Sequence, residues 1–353
     1  MKTFGYAAME AGSDLVPWSF ERRAPRANDV VMEILYCGIC HSDLHMARND
    51  WGFAQFPLVP DHEIVDRVIE VGSEVTKFKV GDNGAVGCMV DNYCQTCKHC
   101  LNGEEQFCCE GNTNTYSSPD RIDGSMTRGG YFKHIVVREE FFCTLFEGLD
   151  LARVAPILCA GITTWTPLRR WNVGPGSRVG VIGMGGLGHM AAKLALGLGA
   201  HVTMISRSPA KRETAMEIGV DDFLVSTDET AMKAAANSLD LIIDTVPIQH
   251  DMDGYVPLLD IDGTLVILGQ VGAMGDISTM PLVFGRRRVV GSLIGGMRET
   301  QEVIDFCVQK GILPKCRMIR PDEINDAFAT LEKSDIPYRF VMDMAALQAP
   351  EVA

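Results

Sequence analysis

Between Arg178 and Leu198 the chain reads as a short apolar strand, a glycine turn and a helix, in that order. The strand is Arg178-Val-Gly-Val-Ile182, the turn is Gly183-Met184-Gly185-Gly186-Leu187-Gly188, and the helical run is His189 to Leu198. A G-x-G-x-x-G spacing in that context is a dinucleotide fingerprint. Gly183 permits the tight turn, Gly185 lets the backbone approach a pyrophosphate, and Gly188 lets helix and strand pack closely. Gly186 and Leu187 complete the turn, and the pyrophosphate sits on free amides at the positive end of the helix. The plain alternative is an ordinary glycine-rich turn between strand and helix.

The chain beyond the turn supports the nucleotide reading. Strands at His201–Ile205, Leu239–Ile243, Thr264–Leu268 and Val289–Ser292 alternate with helical stretches such as Pro209–Ile218. That alternation predicts a doubly wound parallel sheet, an α/β fold. Residues 1 to about 150 are instead β-rich, with strands predicted at Val30–Tyr36, Ile64–Val71, Gly84–Cys88 and Tyr131–Val137. They suggest a partly open barrel carrying long loops. The tail carries helices over Glu299–Gln309 and Asp322–Lys333 and a last strand at Arg339–Met342. It is assigned to the first domain, giving a discontinuous domain of 1–152 and 292–353 around a nucleotide domain of 153–291.

Two groups of metal-binding residue types stand apart in the chain. Cys94, Cys97, Cys100 and Cys108 lie within fifteen residues. Four thiolates with no open position describe a structural zinc site; an iron–sulfur cluster also takes four cysteines. Cys109 is adjacent and competes with Cys108 on spacing. The second group is Cys37-Gly-Ile-Cys40-His41-Ser42-Asp43-Leu44-His45, Asp61-His62-Glu63 and the distant Cys159. Two thiolates and one imidazole make a catalytic type of zinc site with a fourth position open. Singly, each of these residues also reads as core or surface.

These segments, with Gly129-Gly130-Tyr131, Leu158 to Thr164, Gly291-Ser292-x-x-Gly295-Gly296 and Tyr338 to Val341, resemble the zinc-dependent medium-chain alcohol dehydrogenases. The chain is most similar to their cinnamyl alcohol dehydrogenase branch of NADPH-dependent aldehyde reductases, over nearly its whole length. The resemblance implies a GroES-like catalytic domain beside a Rossmann domain. It implies two zinc ions per chain, one held by Cys94, Cys97, Cys100 and Cys108. The other would be held by Cys40, His62 and Cys159, with Glu63 as alternating ligand or supporting carboxylate. Ser42 and His45 match the family's proton relay, Thr163 would face the nicotinamide, and Met46, Trp51, Phe53 and Cys88 would line a pocket for apolar or aromatic aldehydes. A helix N-cap is the plain reading of Ser42. Members of the branch are commonly homodimers.

One departure stands out. The family reads Gly-His-Glu-x-x-Gly where this chain has Asp61-His62-Glu63-Ile64-Val65-Asp66. Where a glycine serves an unusual φ or a close approach, a side chain costs about 1 kcal/mol or more. Weaker zinc retention or activity is therefore expected. The rival readings are a zinc-free reductase of the same superfamily and a dinucleotide sensor or structural protein with impaired catalysis.

The coenzyme is read from the strand after the fingerprint. An NAD site places an acid about twenty residues past the glycines; here that position is Ser206, followed by Arg207, Ser208 and, one turn on, Lys211. No carboxylate repels a 2′-phosphate, so NADP(H) is expected. Ser208 with Pro209 also reads as a helix start. The net charge of −14 argues against nucleic-acid and anionic-membrane partners. No apolar run reaches the roughly 18–20 residues of a membrane span, and no secretion signal is recognised. With twelve cysteines this predicts a cytoplasmic protein using its thiols for metal or catalysis.

Overall fold

The structure, a computed structural model, describes residues 1–91, 94–269, 271–333, 336 and 338–349. The chain opens with a hairpin of β1 (Lys2–Ala8) and β2 (Leu15–Glu21), paired from Lys2↔Glu21 to Ala8↔Leu15. β3 (Asp29–Gly38) follows and leads into α1 (His41–Arg48). Next come β4 (Ile64–Val71), β5 (Asn83–Val86), β6 (Met89–Asp91), α2 (Lys98–Leu101), β7 (Thr113–Asn114), β8 (His134–Arg138) and β9 (Cys143–Thr144). β3 is the centre of this β-rich part. It pairs antiparallel with β4 on one side and, over Asp29–Glu33, with β8 on the other. Its core side chains, Met32 and Ile34, join Ile64, Tyr131, Phe132 and Phe141 in one buried cluster.

α3 (Leu151–Val154) and α4 (Ala160–Arg170) carry the chain to β10 (Arg178–Ile182) and α5 (Gly186–Gly197). Then β11 (His201–Ser206), α6 (Arg212–Ile218), β12 (Asp222–Val225), α7 (Glu229–Ala234), β13 (Leu239–Asp244), β14 (Leu259–Ile267), α8 (Thr279–Gly285) and β15 (Arg288–Gly291) complete a six-stranded sheet. Its order is β12-β11-β10-β13-β14-β15, and every pairing is parallel. Val179 to Ile182 are all buried, as a strand covered by helices on both faces requires. The strand order reverses between β10 and β13, which opens a crevice at their carboxyl ends.

α9 (Met297–Lys310) packs on α4, where Trp165 lies 4.6 Å from the Phe306 ring. Such an aromatic pair contributes about 0.5–1.5 kcal/mol beyond its buried area. β16 (Cys316–Ile319), α10 (Ile324–Lys333) and β17 (Arg339–Asp343) then return to the first sheet. β17 pairs antiparallel with Tyr36–Gly38 of β3, so the two ends of the chain share one sheet.

The expected α/β architecture and the parallel sheet are present. Several elements differ from the sequence reading, which assigns no strand at β1, β2, β6, β7, β9, β12 or β16. β1 carries Gly5 because a Cβ there would stand 2.1 Å from the Tyr131 carbonyl oxygen; a glycine inside a strand breaks the apolar alternation. The strand expected from Tyr131 begins at His134, and the fingerprint helix begins at Gly186 rather than His189. α6 proper begins at Arg212, after a single 3₁₀ turn at Pro209–Lys211.

Candidate active site

Cys40 closes the loop between β3 and α1 and occupies the N-cap of α1. Ser42 is therefore inside the helix, and the N-cap reading of Ser42 is corrected. The capping is done by Asp43, whose Oδ2 accepts from the Cys40 amide at 2.9 Å. His62 and Glu63 precede β4, and Cys159 precedes α4. Side-chain donor atoms of Cys40, His62, Glu63 and Cys159 all lie within 4.8 Å of one another, and all four residues are buried. Cys40 Sγ and Cys159 Sγ are 3.8 Å apart. Two thiolates on a tetrahedral zinc, bonded at about 2.3 Å, stand at about that separation. The donor set fits zinc. The Cys40 thiol is held well below the ordinary cysteine range by its contact with Cys159, helped by His62 and Arg339, against the opposing effect of burial.

Asp43 and Arg339 organise this cluster, and sequence reasoning assigned neither a role. Asp43 is wholly buried. It accepts from the Asp61 amide at 2.9 Å and the Tyr131 hydroxyl at 3.1 Å, and its Oδ1 lies 3.4 Å from His62 Nδ1. A carboxylate on Nδ1 fixes the ring and leaves Nε2 for a metal. Tyr116 stacks on the same ring at 5.7 Å. Arg339, from β17, is buried and donates from Nη2 to Glu63 Oε1. Burial pushes the Glu63 carboxyl up to about 7, opposed by Arg339. The other side of Arg339 faces the glycine turn, where a Cβ on Gly186 would come within 2.6 Å of its side chain. Arg339 thus spans from the metal cluster to the nucleotide turn. Both residues lie inside segments that carry the family resemblance, and that membership is the one signal in the sequence that points to them.

Asp61 takes the backbone conformation a glycine favours, with φ +88°. Its side chain is accommodated: Oδ1 accepts from the Glu63 amide at 2.7 Å, while Oδ2 is buried without a hydrogen-bond partner among the described residues. Burial and the charge of Asp43 push its carboxyl well above the usual range. The donor set nonetheless remains assembled beside it. Asp61→Gly is expected to raise zinc retention under chelator challenge, or kcat/KM, because φ strain of about 1–3 kcal/mol is relieved. A lower kcat/KM at full zinc loading would show that the bond to the Glu63 amide outweighs that strain.

Ser42 Oγ lies 3.6 Å from Cys40 Sγ. His45 is one turn further along α1, half-buried, with Nδ1 2.7 Å from Asp50 Oδ2. Trp51 lies 5.4 Å from the His45 ring and stacks on Phe53 at 5.9 Å. Cys88 is a close neighbour of Cys159 and His62. Met46 is only 3% exposed and packs into the barrel core. Thr163 is in the first turn of α4, its amide donating to the Cys159 carbonyl oxygen.

At the glycine turn, Gly183 has φ +89° and Gly185 caps α5. A Cβ on Gly188 would stand 2.1 Å from the Gly183 carbonyl oxygen, so close packing does require glycine there. The His189 amide makes a helical bond back to the Gly185 carbonyl. The amides of Gly186, Leu187 and Gly188 therefore precede it in the first turn, the position that receives an anion. Ser206 ends β11, and its Oγ accepts from the Ser208 amide at 3.3 Å. Ser208 is the N-cap of the Pro209–Lys211 turn but makes no side-chain capping bond. Arg207 is exposed beside them.

The four-cysteine lobe is a second ligand set. Ligand atoms of Cys94, Cys97, Cys100 and Cys108 lie within 4.8 Å of one another. Amides of Cys97 and Cys94 donate to Cys94 Sγ at 3.2 Å and Cys108 Sγ at 3.4 Å. Backbone bonds from Cys100 and Cys109 lower the Cys97 thiol to about 5. So tight a set fits one tetrahedral ion. Cys108 belongs to it, while Cys109 is exposed, which separates the two candidates.

Comparison with known proteins agrees with this geometry. Residues 186–309 match the family described as zinc-binding dehydrogenase, and residues 26–147 match the alcohol dehydrogenase GroES-like domain. The chain is 46% identical over 329 residues to the probable formaldehyde dehydrogenase AdhA of Bacillus subtilis strain 168, covering 93% of this chain and 94% of that protein. It is 46% identical to NADP-dependent alcohol dehydrogenase C 1 of Mycolicibacterium smegmatis, covering 98% of each. The solved cinnamyl alcohol dehydrogenase SbCAD4 of Sorghum bicolor superposes with a TM-score of 0.95 at 40% identity, covering 100% of both chains.

Proposed function

The chain belongs to the zinc-dependent alcohol dehydrogenases with a GroES-like domain, and from that premise we propose that it interconverts aldehydes and primary alcohols with NADP(H), favouring apolar or aromatic aldehydes. The observation that carries this reading is the buried Cys40–His62–Cys159 cluster, joined through Glu63 and Arg339 to the glycine turn. When bound, zinc supplies Lewis acidity at the carbonyl oxygen and the nicotinamide supplies hydride.

The chain's own residues do the rest. Asp43 orients His62, and the Cys40 and Cys159 thiolates offset the metal charge. The Ser42 hydroxyl, 3.6 Å from Cys40 Sγ, is placed to give the proton that the reduced oxygen takes up. His45, nearer the surface and paired with Asp50, replenishes it. Trp51, Phe53 and Cys88 wall the substrate side, with Met46 packed behind them, and Thr163 supports the nicotinamide side. A panel of aldehydes with NADPH and NADH, run beside zinc analysis, tests the proposal. Two zincs per chain and turnover of aromatic aldehydes support it; one zinc with activity intact removes the catalytic-zinc assignment.

Coenzyme choice rests on Ser206, Arg207, Ser208 and Lys211 at the end of β11. A charge-assisted hydrogen bond contributes about 1.5–3 kcal/mol. One or two to a 2′-phosphate imply roughly ten- to thousand-fold preference for NADPH. Ser206→Asp is expected to lose most of the kcat/KM for NADPH and little of that for NADH. Equal use of both coenzymes by the parent would contradict the assignment.

We assign the domains as 1–152 with 292–353, and 153–291, the second carrying the parallel sheet. The reading includes a homodimer. β15 lies at the end of that sheet, beside α8, whose Met280, Val283 and Phe284 are 65%, 68% and 80% exposed. An unpaired strand edge with apolar neighbours favours association. Phe284→Glu is expected to shift the sedimenting species from dimer toward monomer; a monomeric parent would remove this part. All twelve cysteines are free, which supports a reducing, cytoplasmic setting. No helix among the described residues is long and apolar enough to cross a membrane.

A further inference from the structure

A cavity of about 80 Å³ opens between β2, β8 and the 115–128 loop, and none of the metal-binding cysteines lines it. Arg22, Arg23 and Arg128 line it, together with Phe20, Thr127 and Asp120. The guanidinium groups of Arg22 and Arg128 lie 5.1 and 4.7 Å from the centre of the same Phe20 ring. Arg22 is 8% exposed, and its side-chain bonds go to carbonyl oxygens: those of His134, Arg128 and Gly129. Arg128 donates from Nη1 to the Met126 carbonyl, and its Nε is buried with no partner among the described residues. Neither has a carboxylate partner within ion-pair distance among the described residues.

Two carboxylates line the cavity: Glu21, whose side chain is largely exposed and 4.0 Å from the N-terminal amine, and Asp120, which is committed to an arginine and to amides. Asp120 takes Arg26 at 2.9 and 3.0 Å and the amides of Ile122 and Asp123. Asp29 takes Arg23. Burial and the charges of Arg128 and Arg23 push the Arg22 guanidinium down to about 9, the mark of positive charge without compensation. Carbonyl oxygens satisfy donors but do not cancel charge. A guanidinium fork suits a planar or tetrahedral oxyanion, and a buried site strengthens that pairing.

We infer that this cavity is a binding site for one small tetrahedral oxyanion of the inorganic phosphate class, held by Arg128, with the uncancelled charge of Arg22 behind it and Arg23, already paired with Asp29, at its side. A cavity of about 80 Å³ suits a small ion. The bound anion would stiffen Arg128–Gly129, against which the Pro60 and Asp61 carbonyls pack: a Cβ on Gly129 would lie 2.1 and 2.3 Å from them.

Inorganic phosphate is titrated calorimetrically into the zinc-loaded enzyme saturated with NADP⁺, at constant ionic strength with chloride as the balancing ion. Saturation keeps the coenzyme's own phosphate positions occupied. One binding event per chain is expected, with a rise in melting temperature that chloride does not reproduce. Arg128→Gln should weaken it about tenfold or more, the loss of one charge-assisted bond. Ser125→Glu, a surface change at the cavity wall, should weaken it similarly by supplying a carboxylate. Arg207→Gln, in the coenzyme site, should leave it unchanged. No phosphate-specific heat or melting shift overturns the inference. So does a response that survives both Arg128→Gln and Ser125→Glu, or one lost only in Arg207→Gln.

Discussion

Cys40→Ser is expected to abolish aldehyde reduction, to halve the zinc content and to leave the fold in place. Cys97→Ser is expected to do something different: the protein melts early and is recovered poorly. Both substitutions remove one thiolate from a set of four donors. The difference lies in what surrounds each set. Around Cys40, the chain is fixed by α1, by Asp43 with its four partners, and by the β3–β4 and β3–β17 pairings. Around Cys97 the regular structure is slighter, and the lobe is tied to α9 mainly through Glu105, which accepts from the Met297 amide, and through Arg298, which donates to the Asn102 carbonyl. The lobe has a four-residue helix, a two-residue strand and exposed Leu101 and Phe107. A zinc ion held by the four thiolates would add its binding energy to the fold of this lobe, because structural zinc binding is folding free energy. Loss of a metal ligand at Cys40 should exceed the roughly 10–100-fold that loss of an outer partner costs. Turnover, zinc stoichiometry and melting temperature, measured on both variants, separate the two sites. Identical behaviour would mean that the division between catalytic and structural metal is wrong.

Asp66→Ala is expected to stabilise the protein, and more so at pH 8 than at pH 5. Asp66 sits in β4 opposite Ile34 of β3 and Gly84 of β5. It is wholly buried, and neither carboxyl oxygen has a hydrogen-bond partner among the described residues. A buried polar group left unpaired costs about 1–3 kcal/mol. Burial, and secondarily the charge of Asp61, push its carboxyl well above the free value of 3.8. The folded state therefore binds a proton that the unfolded chain gives up. Below the free value this group imposes no pH dependence. Above it, stability falls as pH rises, by up to about 1.4 kcal/mol per pH unit, until the folded carboxyl itself ionises. Removing the carboxyl removes that slope. Denaturation midpoints of parent and variant, compared from pH 5 to 8, should diverge as pH rises; parallel curves would show that Asp66 has found a partner.

Much of the site could be read from the chain because its chemistry is local. The glycine turn and the four-cysteine lobe each declare themselves within fifteen residues, since a turn or a small chelate must close over a short span. Ser206 was legible because the missing acid is counted from the glycines. The residues that escaped are defined by distant partners. Asp43 matters through Asp61, His62 and Tyr131, and Arg339 through Glu63, 276 positions away. No spacing rule reaches that far. Gly186 reads as turn chemistry, yet its lack of a side chain also makes room for Arg339. The strands that escaped fail for a different reason. β12 and β16 are four-residue edge strands, too short for a period to show. The choice between Cys108 and Cys109 depended on which side chain turns inward, and adjacent residues of one chemistry are not told apart by spacing.

The pairing of β17 with the last residues of β3 also bears on the order in which a newly made chain can be finished. While the ribosome is still translating the parallel sheet, β3 already has β4 and β8 available, but its Tyr36–Gly38 edge waits for β17. Arg339 arrives with that strand, so Glu63 is without its counter-charge until then. The parallel sheet, complete by Gly291, has no such wait. Domains emerging from the ribosome tend to fold as units. Here the parallel sheet can be complete before β17 is made, and Arg339 reaches Glu63 beside the metal ligands only when β17 pairs with β3.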